Sequence, residues 1–312
     1  MTSGLRTKLT LLAVVAAIVA TLAGQPGTAD AATARVVSVH RVDGQLALVR
    51  VYSPALRTTI TNQVLLPGGP GATPVFYLLN GKSGGIDGDS WLRKTRYRKF
   101  FAGKRVTVVS PVGGGYTWYS TPGWQRYLTH ELPNAIDARF PTTGRAGIAG
   151  LSHSASSALD IAGRDRRFVA AASYSGCPAI TSPLGTTAVV ATMASGGQNP
   201  FAVFGAPGAP GWVDHDPARN PLRLAGKAVY LGVGSGVPGR FDGPVLGYPG
   251  LIVGPTQVET IVRDCTSQMR SALMGAGVRH TYRVFSTGAH TWGLFYRELK
   301  DSWRTLAPAL HR

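Results

Sequence analysis

Apolar and polar positions alternate through the first part of the chain. Val36 to His40, Gln45 to Val51 and Thr58 to Leu66 are β-branched runs of this kind, and Asp43-Gly44 between the first two is a hairpin signal. They predict antiparallel strands that open a sheet. Beyond the turn Pro67-Gly68-Gly69-Pro70-Gly71 the pattern changes, since Pro74 to Leu79 is a continuous apolar run, as expected of a strand buried on both faces. From there strand and helix patterns take turns. Trp91 to Phe101 predicts a helix, Val106 to Ser110 a strand, Trp124 to Phe140 a helix interrupted near Pro133, and Ala146 to Ala149 a strand. Ser154 to Ala162 reads as helix, Phe168 to Ser173 and Val229 to Val233 as strands, and Thr256 to Met274 as a helix with apolar residues at helical spacing. Thr281 to Phe285 is the last strand and Gly293 to Leu310 the closing helix. Such alternation predicts an α/β architecture with a mainly parallel sheet and right-handed crossovers. Residues 178–226, rich in Gly, Pro and Ala, read as an excursion above the sheet.

The ends and the composition add context. Arg6 and Lys8, the apolar run from Leu9 to Leu22 and the small residues around Ala29-Asp30-Ala31 form a secretory signal peptide over residues 1–31, cut before Ala32. A membrane anchor is disfavoured, because the run falls short of the about 20 apolar residues that a spanning helix needs. Residues 32–312 then form a single domain with a core large enough to need no staples. Cys177 and Cys265 do not sit in metal-ligand spacing, and in an exported chain an even pair suggests one disulfide; two buried free thiols are the alternative. No metal or other cofactor is called for. The net charge of +17 invites a nucleic-acid reading, but the basic residues are scattered and no nucleic-acid module is recognisable. An evenly basic surface suits an anionic cell envelope better.

Candidate chemistry centres on Gly150-Leu151-Ser152-His153-Ser154, between a predicted strand and a predicted helix. A nucleophilic serine needs a tight strand-to-helix turn with small neighbours, though this stretch departs from G-x-S-x-G at its last position. A base and an acid should follow the serine. His290 lies in the loop between the last strand and the last helix, where the base belongs. His280 opens a strand, His311 is near the terminus, and His215, in a turn, is a weaker rival. For the acid, spacing favours Asp242, in the loop after Val229 to Val233, over Glu259 on the following helix. An oxyanion hole would take one N–H from His153 and one from the glycine-rich loop Asn80 to Gly85.

Six co-linear segments resemble the secreted mycolyltransferases of mycolic-acid-bearing actinobacteria, the antigen 85 type and their corynebacterial relatives. They are Y-L-L-N-G at 77–81, P-V-G-G-G-Y-T-W-Y-S at 111–120, L-T-H-E-L-P at 128–133, G-L-S-H-S-A-S-S-A at 150–158, V-E-T-I-V-R at 258–263 and G-A-H-T-W at 288–292. The resemblance implies an α/β-hydrolase fold in which Ser152 is the nucleophile, Glu259 rather than Asp242 the acid and His290 the base. It implies that the amides of Lys82 and His153 form the oxyanion hole and that Asn80 and Trp292 line the sugar site. It also implies a disulfide between Cys177 and Cys265, the corynebacterial arrangement, tying the helix of Glu259 to the strand after the nucleophile helix. Mycobacterial members carry aspartate at Asn80, arginine at Ser83 and methionine at His153, and have a disulfide after P-V-G-G that this chain lacks.

The activity so implied is transfer of a mycolyl group between trehalose mycolates, or onto cell-wall arabinogalactan, through an acyl-serine. A secreted carboxylesterase using water is the main rival. A non-catalytic envelope-binding protein on the same fold is a second.

Overall fold

In the computed structural model, residues 33–242 and 252–312 are described. The signal-peptide reading falls on residues outside these. Among the described residues nine strands form one sheet in the order β1-β2-β3-β5-β4-β6-β7-β8-β9. β1 (Arg35–Arg41), β2 (Leu46–Ser53) and β3 (Thr58–Leu65) run antiparallel to their neighbours. The remaining pairs are parallel: β4 (Thr73–Leu78), β5 (Thr107–Val112), β6 (Thr142–Leu151), β7 (Phe168–Tyr174), β8 (Ala228–Gly234) and β9 (Thr281–Phe285). An antiparallel hairpin layer thus leads into a parallel sheet, as the change from alternating to continuous apolar patterns predicts.

β4 shows why the parallel strands are apolar throughout. Its side chains alternate across the pleat, so Val75 and Tyr77 enter one core while Phe76 and Leu78 enter the other. The first core is closed by helices α1 (Leu132–Arg139), α2 (His153–Arg164) and α4 (Gln257–Gly275), through Leu132, Ile136, Ile161, Met269 and Leu273. The second is closed by α5 (Trp292–Leu310), through Leu299, Leu306 and Leu310. Each such fully buried leucine contributes about 1.5–3 kcal/mol relative to exposure. The helix α3 (Pro183–Ser195) belongs to the excursion, where Val189 and Met193 pack with Trp118, Ile180, Phe204 and Trp212 in a smaller cluster of their own.

Two predicted helices are broken, each for a local reason. The run from Trp91 divides into Trp91–Lys94 and Tyr97–Phe101. Thr95 lies between them in an extended conformation, its hydroxyl donating to the Trp91 carbonyl at 2.7 Å and accepting from the Tyr97 N–H at 3.2 Å. Such side-chain bonds compete with the helical ladder. Before Pro133 the helix widens to a π turn, Tyr127–Glu131, with the Leu132 N–H bonded to the Tyr127 carbonyl. Pro133 has no N–H for the ladder and its ring crowds the carbonyl four residues earlier, which accounts for the change of winding there.

Cys177 and Cys265 form a disulfide with Cα atoms 4.7 Å apart. It ties the segment after β7 to the buried face of α4, beside Val233 and Val262.

Candidate active site

Ser152 stands at the turn between β6 and α2 with φ 54° and ψ −122°, a left-handed conformation that costs a non-glycine residue about 1–3 kcal/mol. Neighbouring groups hold it there. The Ser152 N–H donates to the Tyr174 carbonyl at 2.9 Å, at the end of β7. Ser154, where a glycine would complete the familiar pattern, is fully buried; its hydroxyl accepts from the Leu151 N–H and donates to the Leu151 carbonyl, both at 3.0 Å. The serine thus fastens the turn from inside. Gly150 has to be glycine, since a Cβ there would lie 2.2 Å from the Ser154 carbonyl oxygen.

His290 projects from the loop between β9 and α5. Its Nε2 is 2.8 Å from the Ser152 hydroxyl and its Nδ1 2.8 Å from Glu259 Oε2. An ionised carboxylate only accepts, so this network assigns the imidazole proton to Nδ1 and leaves Nε2 free to take the serine's proton. Glu259 lies in the first turn of α4 and is fully buried. Its other oxygen, Oε1, accepts from the Gly234 N–H at 2.6 Å and the Ser175 hydroxyl at 2.8 Å. A glutamate on an amphipathic helix usually faces solvent; this one faces the sheet.

Asp242, which spacing favoured as the acid, does not bond the imidazole. Its Oδ1 accepts from the Ala289 N–H (3.0 Å) and the Thr291 hydroxyl (2.7 Å), and its Oδ2 from the Gly239 N–H (2.6 Å). Asp242 therefore braces the loop on either side of His290. The other histidines lie elsewhere: His215 Nδ1 is 2.7 Å from Asp160, His280 Nδ1 is 2.8 Å from the Val278 carbonyl, and His311 follows α5.

A cavity of about 560 Å³ opens over Ser152, lined among others by Lys82, Asp89, Thr192, Val258, His290 and Trp292. The Lys82 backbone is fixed by a loop-to-loop clasp, with the Tyr116 N–H on the Lys82 carbonyl at 2.7 Å and the Gly113 N–H on the Gly84 carbonyl at 3.0 Å. Gly84, at φ 66°, packs so closely that a Cβ would sit 2.2 Å from the Gly113 carbonyl oxygen. Trp292 donates its indole N–H to Asp89 at 2.6 Å and packs edge-on against Trp91. Asp89 carries no signal in the sequence beyond its place just after the glycine-rich loop.

Asn80 takes a different place from the one implied by the resemblance. It is fully buried below the cavity, its amide donating to the Pro111 carbonyl at 3.0 Å and Ser110 at 3.3 Å while its oxygen accepts from the Trp91 N–H at 3.2 Å. Every polar atom of that side chain is used inside the fold, so it is not a substrate contact here. His153 points away from the cavity and packs between Trp118 and Tyr119, with ring centroids 5.5 and 5.4 Å away. Neither ring nitrogen has a hydrogen-bond partner. Burial holds this imidazole down to about 3, with the nearby Gly114 backbone opposing it only in part.

A larger concavity, about 970 Å³, lies apart from Ser152 and is lined by Arg126, His130, Arg164 and Arg167 among others. Its cations are largely engaged, Arg164 with Asp160 and Asp214, and Arg167 with Asp137. Among the described residues no cluster of His, Cys, Asp and Glu could hold a metal ion, and no helix is long and apolar enough to cross a membrane.

The family described as putative esterase matches residues 53–306. The chain belongs to that esterase family. Within the esterases it is similar to antigen 85 proteins over nearly its whole length. It is 28% identical to the diacylglycerol acyltransferase/mycolyltransferase Ag85A of Mycobacterium tuberculosis, over 99% of this chain and 93% of that one. To the corresponding Ag85B of Mycobacterium intracellulare it is 29% identical, over 96% and 93%. Among solved structures, Mycobacterium tuberculosis MPT51 (FbpC1) superposes with a TM-score of 0.70 at 22% identity, covering 83% of this chain and 96% of that one. An S-formylglutathione hydrolase from Agrobacterium tumefaciens superposes at 0.65 with 17% identity, covering 88% and 99%. These two likenesses are of fold, and they make the sheet described above that of an α/β-hydrolase. The protein is an acyltransferase or esterase enzyme.

Proposed function

We propose that the protein is exported to the cell envelope and there transfers a mycolyl group from one trehalose mycolate to another, or to arabinogalactan, through an acyl-serine intermediate. The observation that carries the proposal is the unbroken chain Glu259–His290–Ser152, with both links at 2.8 Å, at the floor of an open cavity. Glu259 orients the imidazole. His290 Nε2 takes the Ser152 proton as the oxygen attacks the ester carbonyl, and returns it to the departing sugar oxygen. The N–H groups of Lys82 and His153 hold the tetrahedral oxyanion, worth roughly 3 kcal/mol per donor in comparable sites. A sugar hydroxyl, deprotonated by His290, then attacks the acyl carbonyl, and His290 returns that proton to the Ser152 oxygen as its bond to the acyl group breaks. Trp292, held by Asp89, offers an apolar wall for the sugar, and the basic surface suits an anionic envelope.

The esterase family match and the hydrolase among the structural neighbours favour a second reading, in which water accepts the acyl group. Incubation with trehalose monomycolate separates the two. Trehalose dimycolate as the main product is expected; free mycolic acid without dimycolate would assign the esterase reading. Acyl transfer that persists in Ser152→Ala would refute both. Covalent labelling of Ser152 by a serine-reactive phosphonate is expected, and its absence would leave a non-catalytic envelope-binding role.

A further inference from the structure

Behind Glu259 lies a second fully buried carboxyl group, Glu298 on α5, that the triad does not use. The two are joined by one residue. Ser175 shares its N–H between the Gly232 carbonyl at 3.0 Å and Glu298 Oε1 at 3.2 Å, and its hydroxyl oxygen lies 3.1 Å from Glu298 Oε2 and 2.8 Å from Glu259 Oε1. Ser175 has φ 43°, a backbone strain that these contacts help to hold.

We propose that Glu298 is a positioning residue: as a neutral carboxylic acid it donates to the Ser175 hydroxyl, which donates to Glu259, so that the hydrogen-bond chain runs Glu298, Ser175, Glu259, His290, Ser152. The inference rests on the triad reading above. A serine hydroxyl has one hydrogen and cannot donate to two carboxylates at once. Glu259 is surrounded by donors, the Gly234 N–H and His290 Nδ1, so it is the partner that accepts. The remaining Ser175–Glu298 contact then needs a proton of its own, and only Glu298 can supply it.

The surroundings agree. Glu298 faces Glu259 from α4, Asp301 from its own helix, and Tyr174 and Tyr230 from β7 and β8. Tyr174 is bonded to Ser302, and Asp301 is engaged by Tyr230 and Arg283. Among the described residues no cation pairs with Glu298 itself. Burial first, and then the Glu259 charge, push its carboxyl well above the ordinary range. If it ionised, a second anion would stand behind Glu259 and Ser175 would lose its fixed direction.

Three variants test this. Glu298→Gln keeps an oxygen for the Ser175 N–H and an N–H for its hydroxyl, and is neutral at every pH. Glu298→Leu and Ser175→Ala break the chain. Breaking the chain, at the neutral Glu298–Ser175 link in Leu and at the link to the Glu259 carboxylate in Ala, is expected to lower kcat on an activated acyl ester about tenfold, with KM little changed, while Gln recovers to within about threefold of wild type. The proton itself is read by denaturant unfolding against pH. Above about pH 4.3 the unfolded glutamate releases a proton that folded Glu298 keeps, so wild type loses stability as pH rises. Its unfolding constant therefore climbs tenfold per pH unit relative to Glu298→Gln, until Glu298 ionises within the fold. Parallel pH curves, or a Gln variant as slow as Leu, would overturn the proton assignment. Unchanged kcat in a folded Ser175→Ala would overturn the positioning role, and this variant decides the matter if Leu fails to fold. Phosphonate labelling of wild-type Ser152 is run alongside: without it the triad reading fails, and with it any failure belongs to Glu298.

Discussion

Glu259→Gln and Asp242→Asn make similar changes to the two acids that the sequence left in competition, and the structure predicts unlike outcomes. In Glu259→Gln the amide oxygen is drawn to the Gly234 N–H and the Ser175 hydroxyl, both donors, which turns the NH2 group towards His290 Nδ1. Nδ1 must then accept, the imidazole proton moves to Nε2, and the Ser152 hydroxyl faces a donor instead of a base. A wrong tautomer of this kind costs about 10⁴ in kcat in a comparable triad, or about 5 kcal/mol of transition-state free energy at 1.36 kcal/mol per tenfold. In Asp242→Asn the oxygen can still accept from Ala289 and Thr291, and only the Gly239 N–H loses its acceptor. One orphaned donor costs about 1–3 kcal/mol of stability and leaves the tautomer intact, so kcat is expected to fall by no more than about tenfold. The assay is steady-state turnover of an activated acyl ester, with the phosphonate labelling rate of Ser152 and a thermal melt for each variant. A loss of about 10³ or more in Asp242→Asn, with Glu259→Gln within about tenfold of wild type, would refute the assignment.

Replacing both Cys177 and Cys265 by serine is expected to lower stability in denaturant titration. Loop entropy over the 88-residue separation sets a figure of about 4.6 kcal/mol, and no change would mean that the unfolded chain is held compact by other means. His153→Met is expected to stabilise the fold by about 1–3 kcal/mol, because two unpartnered nitrogens leave the core, and to preserve acyl transfer, because the backbone N–H remains. Its advantage should grow with acidity: the folded imidazole is held down to about 3, so wild type loses up to about 1.4 kcal/mol per unit as pH falls below about 6.5. Melting curves of the two that run parallel from pH 7 to 4 would contradict this. Gly150→Ala is expected to abolish labelling of Ser152 even where the protein still folds, since the new methyl group would displace Ser154, whose hydroxyl fastens the turn; full labelling would show that the turn tolerates a side chain.

Most of the fold was legible because burial leaves a periodic trace. The parallel strands are apolar throughout since both faces are covered, and each predicted strand lies within a few residues of the observed one. The interruption near Pro133 was legible too, because a proline without an N–H shows in the sequence itself. The break at Thr95 was not, because it ends a ladder through one hydroxyl, a signal too local to stand out in a window of a dozen positions.

The candidate site was legible only where a residue type is unusual for its place. A serine at a strand-to-helix turn and a histidine before the last helix stand out. Two acids do not, because whether Asp242 or Glu259 reaches the imidazole depends on which way a loop and a helix face, and sequence spacing carries no such direction. Asp242 has the position expected of the acid and uses it to hold the backbone around His290, while Glu259 reaches the ring from the buried side of α4. Glu298 was invisible for the same reason: in the amphipathic α5 it reads as one more solvated charge, and only the packing of α5 over β7 and β8 turns it inward. A glutamate buried without a cation is costly unless it is neutral. The burial that hid it from the sequence is therefore also what gives it a proton to donate.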